Sequence, residues 1–448
     1  MERTDRLSSD VLLLDWFGEE SAMLYQSLTA AGFAGLTLVM EDDGFLPEGV
    51  ISVSRYFCQG LDRPGRPRYF NQIELPDYWE ITANNSQGSV FDLNHERARI
   101  HYAEPKYKRL VASVEWLDAH GTVRMQDHYD SHGALYARTV FTKAGARFSK
   151  TYFDADSREV LVENFLTGDL ILNREGKVHI FHGKVELVLY LLRQLGRTDC
   201  RLMFNSLGLP FFVSEALPEN GKQDILFWQE GERPDIPGNM QYILDGYARR
   251  AGRVLVQKKA SYDKLIDLGA SPDMVKRLGH IYPFRKENGF AAQALICTNS
   301  DRIRNLRELV EVLPNLHFHV AALTEMSTRL LDLDRYENVT LYPAVKLERL
   351  AELFQTCDFY LDINYESEIV SAVKQAFLHN QLILGFADTL HNPNYIEKSH
   401  IYRDQSELAA ELTQLLENPV YLTVQLAMQK RAALAETEEK YRAMLWAD

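Results

Sequence analysis

The chain has 448 residues, of which 46% are hydrophobic and 25% are charged. A single hydrophobic core stops growing at about 250 to 300 residues, so we expect roughly three domains. The apolar content excludes a disordered or fibrous protein. The 49 basic and 63 acidic residues leave a formal charge of −14, which opposes binding to phosphate backbones. The composition therefore predicts a globular multidomain protein with no nucleic-acid partner.

The cysteines and the first residues of the chain indicate its cellular compartment. Cys58, Cys200, Cys297 and Cys357 show no Cys-x-x-Cys spacing, which predicts buried thiols rather than disulfides or a zinc site. The start, MERTDRLSSD, turns to charged residues before an apolar region forms, and no apolar run approaches the ~18 residues of a membrane span. These features predict a cytoplasmic chain. Because its charge opposes adsorption to an anionic leaflet, attachment at the cytoplasmic face of the membrane would be peripheral or through partners.

The first 45 residues predict a strand, a helix and a second strand. The strands are DVLLLD (10–15) and LTLVM (36–40), and the helix between them has Leu24, Leu28 and Ala31 on one face and ends at Gly32. This order is that of a βαβ unit, which opens a parallel sheet.

From residue 46 to residue 180 the hydrophobic period changes to two. Runs such as LVASVEWLD, VRMQDHYD, ALYARTVFT and RFSKTYFD are separated by turn signals every eight to twelve residues. This pattern predicts an antiparallel sheet of hairpins inserted into the first α/β domain, with one face packed and edges available to partners.

The α/β rhythm returns at residue 181 and predicts a second parallel sheet after residue 289. We predict no internal repeat. The predicted domains are the first part of an α/β domain, the inserted sheet, the second part of that α/β domain, a second α/β domain and a C-terminal helix, at residues 1–45, 46–180, 181–288, 289–418 and 419–448.

Two segments could be taken for metal sites. Glu41, Asp42 and Asp43 stand in EDDGFLPEG, where Asp-Gly and Pro-Glu-Gly also favour a turn, and we predict the turn. His317 and His319 alternate on a strand, but no third ligand has suitable spacing, so we predict half-buried strand histidines. We therefore expect neither a metal nor a cofactor.

Two such α/β domains facing each other across a cleft resemble the GT-B glycosyltransferases, and the element order from 294 to 386 is similar to their nucleotide-sugar half. In active retaining members, an Arg and a Lys five residues later neutralise the donor pyrophosphate. The resemblance places Ile296 and Asp301 at these positions, and neither residue can do this. Arg302 and Arg304 lie nearby, so a shifted register could restore one cation.

A second GT-B motif, Glu-x(7)-Glu, also departs from the pattern. The resemblance implies that the later Glu binds the donor ribose, and this chain carries Ser367 and Gln375 at the two positions. Glu366 and Glu368 flank Ser367 and could compensate, although acidic residues are also expected in the first turn of a helix. The resemblance therefore implies a dismantled donor site.

The whole chain resembles the GtfB (Gtf2) family of the accessory Sec glycosylation system. The segments that carry the resemblance are LLDWFGEES (13–21), EDDGFLPEG (41–49), CTNSDRI (297–303), HFHVAALTEMS (317–327), LERLAELFQTCDFYLDIN (347–364) and FADTLHNPNYI (386–396). The resemblance implies a catalytic partner, GtfA, in an assembly with two copies of each subunit. It also implies that the pair adds N-acetylglucosamine to Ser and Thr of serine-rich-repeat adhesins before export.

Two functions are compatible with these observations. The first is a non-catalytic subunit that stabilises GtfA and presents the unfolded, Ser/Thr-rich adhesin polypeptide to it. The second is an active retaining GT-B transferase with an unusual donor site. Because ligands bind at the carboxyl ends of the strands in such sheets, we predict acceptor contacts from polar loop residues there. The candidates are Asn299, Tyr365, Glu366, Glu368, His391 and Asn392.

Overall fold

A computed structural model describes residues 9–58 and 65–446. The first eight residues, which include most of the charged start used above, lie outside the described residues. The chain divides into two compact units, residues 1–277 and residues 278–448.

The first unit contains a parallel sheet of seven strands in the order β17-β16-β15-β14-β1-β2-β3. Its inner strands are largely apolar because both faces of a parallel sheet are covered: the first four residues of β1 and all five of β15 are buried. The strands are β1 (Val11–Trp16), β2 (Leu36–Glu41), β3 (Val50–Ser52), β14 (Leu202–Phe204), β15 (Asp224–Trp228), β16 (Ala251–Val256) and β17 (Val275–Arg277).

Among the described residues of the first unit, the α-helices that accompany this sheet are α1 (Glu19–Ala30), α2 (Lys184–Gln194), α3 (Leu209–Ala216), α4 (Gly238–Leu244) and α5 (Lys259–Asp267). The predicted βαβ unit is confirmed, since β1 and β2 pair in parallel. Helix α1 buries Leu24 and Leu28, and the chain turns after it at Gly32, whose φ of +101° suits glycine.

The predicted antiparallel sheet is also confirmed. Its ten strands pair in sequence order because short hairpins join them. Positive φ angles at Gly121, Gly133, Gly145 and Gly176 occur in turns between successive strands. The strands are β4 (Glu80–Ala83), β5 (Gln87–Asp92), β6 (His95–Tyr102), β7 (Val111–Leu117), β8 (Val123–Tyr129), β9 (Leu135–Phe141), β10 (Arg147–Phe153), β11 (Glu159–Asn164), β12 (Leu170–Arg174) and β13 (Lys177–Phe181).

One core joins the two sheets of the first unit. Tyr136, Tyr152 and Leu161 of the antiparallel sheet lie in the same buried cluster as Val11 and Leu38 of the parallel sheet. Burying a large apolar side chain stabilises the folded state by about 1.5–3 kcal/mol, because its surface is removed from water. The inserted sheet is therefore an integral part of the first unit.

The second unit contains a six-stranded parallel sheet in the order β20-β19-β18-β21-β22-β23. The strands are β18 (Gln293–Thr298), β19 (His317–Ala322), β20 (Val339–Tyr342), β21 (Phe359–Asp362), β22 (Leu382–Phe386) and β23 (Ile401–Tyr402). The helices are α6 (Leu306–Val312), α7 (Thr328–Leu331), α8 (Leu347–Thr356), α9 (Ala372–Leu378), α10 (Gln405–Glu417), α11 (Pro419–Ala432) and α12 (Glu438–Trp446).

Helix α9 begins after Glu366 and Glu368, the acidic residues that were considered above for the first turn of a helix. Val370 and Ser371 have φ angles of +47° and +52°, so the chain cannot be α-helical there. The helix begins at Ala372, and the Glu368 carboxylate accepts a hydrogen bond of 2.8 Å from the Val373 amide in its first turn.

Candidate functional site

The predicted acceptor residues of the second unit lie around the point where its strand order reverses. Strand β18 pairs with β19 on one side and with β21 on the other, and both neighbours run parallel to it. Loops that leave such a pair of strands in opposite directions open a crevice at their carboxyl ends. Thr298 ends β18 and Asp362 ends β21, and both are fully buried. The loops after them therefore form the candidate site.

Arg302, in the loop after β18, is bound by the loop after β21. Its Nη1 donates to Glu366 Oε1 at 2.8 Å, and its guanidinium lies 5.6 Å from the ring centroid of Tyr365. The Tyr365 amide also donates to the Arg302 carbonyl at 3.0 Å. The cation of Arg302 is thus paired with a carboxylate of the same unit.

Arg304 is held in the same way by the loop after β22. Its guanidinium forms an ion pair with Asp388, donates to the Arg403 carbonyl at 2.8 Å and lies 4.3 Å from the ring centroid of Phe386. The Tyr365 hydroxyl donates to the other Asp388 oxygen at 3.3 Å. Both arginines therefore form ion pairs with carboxylates of the same unit.

His391, between β22 and β23, is bonded to the end of β21 and to the loop that follows it. Its Nδ1 bonds Asp362 Oδ1, its Nε2 bonds the Glu366 carbonyl, and its amide donates to Asp362 Oδ2 at 2.8 Å. Because both ring nitrogens face oxygen acceptors, this geometry favours the doubly protonated imidazolium form of the ring. The hydrogen bond to Asp362 raises the pKa of His391 to about 9, although partial burial works in the other direction.

Removing the Asp362 carboxylate is expected to return the pKa of His391 towards its ordinary value. The unfolded histidine has a pKa of about 6.5, so the pair's contribution to stability is complete below that pH and is lost as pH rises through about 9. NMR titration of Asp362→Asn should show the lowered pKa. Asp388→Asn is the matched control, because Asp388 pairs with Arg304. A His391 that titrates near 6.5 in the unsubstituted chain would contradict this geometry.

The positions expected to bind a donor lie in different environments. Ile296 is fully buried in the core of the second unit and lines no site. Asp301 accepts a hydrogen bond of 3.1 Å from the Ser327 hydroxyl. Gln375 Oε1 accepts from Arg285 Nη1 at 2.9 Å, and Ser367 is exposed. The structure does not bring these four side chains together.

The six acceptor candidates divide into two groups. Asn299 and Tyr365 are exposed, and Glu366 is half-buried in its ion pair with Arg302. The other three shape the loops: Glu368 holds the first turn of α9, His391 binds Asp362, and the Asn392 side chain accepts from the Asn394 amide.

Sequence reasoning missed two residues that organise this site, Asp362 and Asp388. Asp362 is the last residue of the buried strand β21 (FYLD), and Asp388 lies two residues after β22 (LILGFAD). An acid at the carboxyl end of a strand in a parallel sheet was an available signal. Their partners could not be predicted, because Asp362 pairs with His391 and Asp388 with Arg304, which lie on loops distant in sequence.

The two segments considered for metals have other roles. The Asp42 and Asp43 carboxylates accept from the Gly44 and Phe45 amides, which confirms the predicted turn, and Asp42 also pairs with Arg55. His317 and His319 bond Thr340 and Tyr342 on the neighbouring strand. Within residues 9–58 and 65–446 no cluster of three or more acidic, histidine or cysteine side chains could hold a metal.

Comparison with known proteins identifies the family. Models of the GtfB N-terminal, middle and third domains match residues 11–57, 79–182 and 184–268, and a model of the GftB/GlyA-F C-terminal domain matches residues 294–429. A protein of Streptococcus agalactiae, UDP-N-acetylglucosamine–peptide N-acetylglucosaminyltransferase stabilizing protein GtfB, is 40% identical over 97% of this chain and 98% of its own. The chain belongs to the GtfB family. The corresponding GtfB of Limosilactobacillus reuteri is 34% identical over 97% of this chain and 98% of its own.

Solved structures agree with this membership. A chain in the crystal structure of a GtfA/B complex bound to UDP and GlcNAc has a TM-score of 0.90 and 38% identity, over 97% of this chain and 99% of that one. A chain in the structure of accessory secretory proteins 1, 2 and 3 of Streptococcus pneumoniae has a TM-score of 0.60 at 11% identity, over 97% and 98% of the two chains, which shows a shared fold. The predicted GT-B-like class with an inserted antiparallel sheet is confirmed for this GtfB-family chain. None of its described helices is both long and apolar enough to cross a membrane.

Proposed function

We propose that this chain is a non-catalytic subunit of a protein O-GlcNAc transferase complex. It stabilises the catalytic subunit, GtfA, and binds and presents an unfolded Ser/Thr-rich adhesin polypeptide before accessory Sec export. Two findings support the proposed stabilisation of GtfA. The relatives of this chain are named stabilizing proteins, and this chain is similar to a chain of a GtfA/B complex. By binding GtfA only in its native form, the subunit would stabilise it by mass action.

The charge of the site in the second unit carries the proposal that this chain is not itself the transferase. A nucleoside diphosphate leaves with two negative phosphates, which need unpaired cations or a metal to stabilise them. Here Arg302, Arg304 and His391 are each bonded to a carboxylate: Glu366, Asp388 and Asp362. Three positive charges opposed by three negative charges leave no excess to attract a diphosphate.

The same site suits a neutral polar polypeptide. A disordered Ser/Thr-rich acceptor has little apolar surface and must be held by several weak hydrogen bonds. Tyr365, with a side chain at the surface, and the exposed Asn299 provide an aromatic ring, a hydroxyl and an amide at the crevice. We therefore propose that the acceptor binds there, with Glu366, Glu368, His391 and Asn392 shaping the loops.

The assembly proposed with this function contains two copies of each subunit and acts in the cytoplasm. With a charge of −14, the chain would reach the inner face of the membrane through its partners rather than by adsorption to anionic lipid. The alternative, an active retaining transferase, requires Arg302 or Arg304 to leave its carboxylate when a donor binds.

Calorimetric titration of the purified chain separates these two functions. We expect an unmodified serine-rich-repeat fragment to bind and UDP-N-acetylglucosamine to give no heat of binding. Glu366→Gln is a useful companion variant, because it releases Arg302 and should permit weak binding of the nucleotide if charge pairing is what excludes it. Donor binding to the unsubstituted chain, lost in Arg302→Ala or Arg304→Ala, would instead establish the transferase.

A further inference from the structure

A cavity of about 240 Å³ lies in the second unit, next to the crevice at the carboxyl ends of β18 and β21. One of its walls is the loop after β18, which contributes the side chains of Asp301, Ile303 and Asn305. Arg302 and Arg304, which alternate with these residues along the chain, form the ion pairs described at the crevice. This loop therefore presents one set of side chains to the crevice and the alternate set to the cavity.

Helix α7 and the turn after it form another wall of this cavity, with Arg329, Leu330 and Leu333. Ser327, which precedes α7, ties the two walls together. Its hydroxyl donates to Asp301 Oδ2 at 3.1 Å, and its oxygen accepts from the Leu330 amide at 3.3 Å. Leu330 and Leu333 are buried in the core of the second unit. The cavity is therefore held in shape by the fold and has a partly apolar lining.

Two arginines line the cavity with their charges free. Arg307 belongs to α6 and Arg329 to α7, and both side chains are exposed. Among the residues that the structure describes, neither guanidinium has a hydrogen bond, an ion pair or a ring contact. The guanidinium groups of Arg302 and Arg304, in contrast, are each paired with a carboxylate. Two cations that are available to an anionic group therefore lie in the cavity, on the far side of the loop from the crevice.

The acidic residues and the size of the cavity define the ligand class. Asp301 and Glu308 also line it, so two negative side chains accompany the two positive ones. Its volume is below the roughly 300–1,000 Å³ of small-molecule sites. Charge and size therefore both disfavour a nucleoside diphosphate. A polypeptide segment with one acidic residue among Ser and Thr fits better, because its carboxylate can bind the arginines and its hydroxyls can donate to the acids.

We propose that this cavity binds an acidic residue of the acceptor polypeptide through Arg307 and Arg329. Hydroxyls of neighbouring Ser or Thr residues donate to Asp301 and Glu308. This inference rests on the proposed function, because it specifies which Ser/Thr-rich segments bind across the adjacent crevice. The formal charge of −14 repels an acidic segment from most of the surface, so the attraction has to come from local cations. The chain therefore selects segments that contain an acidic residue over neutral segments of the same length.

The test uses the full chain and two synthetic Ser/Thr-rich peptides that differ only in one central residue, Glu or Gln. We expect the Glu peptide to bind at least about 10-fold more tightly, as for one charged hydrogen bond, and the preference to shrink as salt is added. Arg307→Gln and Arg329→Gln should each lower this preference and together remove it, with the affinity for the Gln peptide unchanged. Arg431→Gln is the matched control, because it removes one exposed arginine of α11 and should keep the preference.

Asn299→Ala/Tyr365→Ala separates the cavity from the crevice, since it should weaken binding of both peptides by the same factor and keep the preference for Glu. Loss of the preference in that variant would place the acidic residue at the crevice and overturn the inference. Equal affinities of the unsubstituted chain for the two peptides would overturn the inference and leave the proposed function standing. A preference that survives Arg307→Gln/Arg329→Gln would also overturn it. Failure of both peptides to bind would overturn the proposed function as well.

Discussion

Asp224→Ala should destabilise the first unit by about 3–5 kcal/mol, since it leaves a buried guanidinium without its carboxylate. The side chains of Arg250 and Asp224 are 1% and 0% exposed, and Arg250 Nε donates to Asp224 Oδ2 at 2.8 Å. Asp224 also accepts from the Ser214 hydroxyl and the Leu202 amide, both at 2.7 Å. One carboxylate therefore satisfies donors on β14, on α3 and on the residue that directly precedes β16.

Urea denaturation, monitored with a spectroscopic probe in the first unit, measures this change in the free energy of unfolding. Glu219→Ala is the matched control: its partner, Arg249, is the neighbour of Arg250, and the side chains of that pair are 50% and 66% exposed. An exposed pair contributes at most about 1 kcal/mol, so the control should hardly move the transition. Equal shifts in the two variants would mean that the Arg250–Asp224 pair has little role in the fold.

The double variant Asn299→Ala/Tyr365→Ala should bind an unmodified serine-rich-repeat fragment at least about 10-fold more weakly, equivalent to about 1.4 kcal/mol. Both residues are exposed at the crevice of the second unit, so their removal costs contacts with the acceptor rather than core packing. Titration calorimetry gives the affinity, and co-purification with GtfA shows whether the complex still assembles, as we expect.

Two further variants sharpen that experiment. Tyr247→Ala truncates an exposed tyrosine of the first unit and should leave acceptor binding unchanged. Tyr365→Phe removes only the hydroxyl that donates to Asp388, so it distinguishes contact by the ring from the effect of this hydrogen bond. Unchanged affinity in the double variant would place acceptor recognition elsewhere on the chain.

Much of the fold was predictable because its signals are local. The four-residue buried run in β1 and the alternating burial along β6 of the inserted sheet depend only on which faces are covered. Gly121, Gly133 and Gly145 allow the positive φ of hairpin turns whatever lies around them. Helix α9 was less predictable, since nothing local to Val370 and Ser371 required the left-handed conformation that delays its start to Ala372.

The candidate site was predictable only in part. Strand order alone placed Asn299, Tyr365 and His391 at one edge of the sheet, because loops after parallel strands meet there. The GT-B resemblance placed Ile296 at a cation position of the donor site, whereas its side chain is fully buried on β18. The strand position Ile296 and the loop position Asn299 are only three residues apart in sequence, but only Asn299 is exposed.

By itself, the sequence determined the family, the two parallel sheets and the inserted hairpins, since each is encoded in short stretches of chain. Tertiary structure alone decided the charge state of the site, because Arg302 meets Glu366 across 64 residues and Arg304 meets Asp388 across 84. Tertiary structure also decided the exposure of Trp16, whose ring lies against Gly18 and stays exposed where the strand order reverses. Ion pairs and exposed rings depend on which loops converge, and convergence follows from strand order and packing rather than from local pattern.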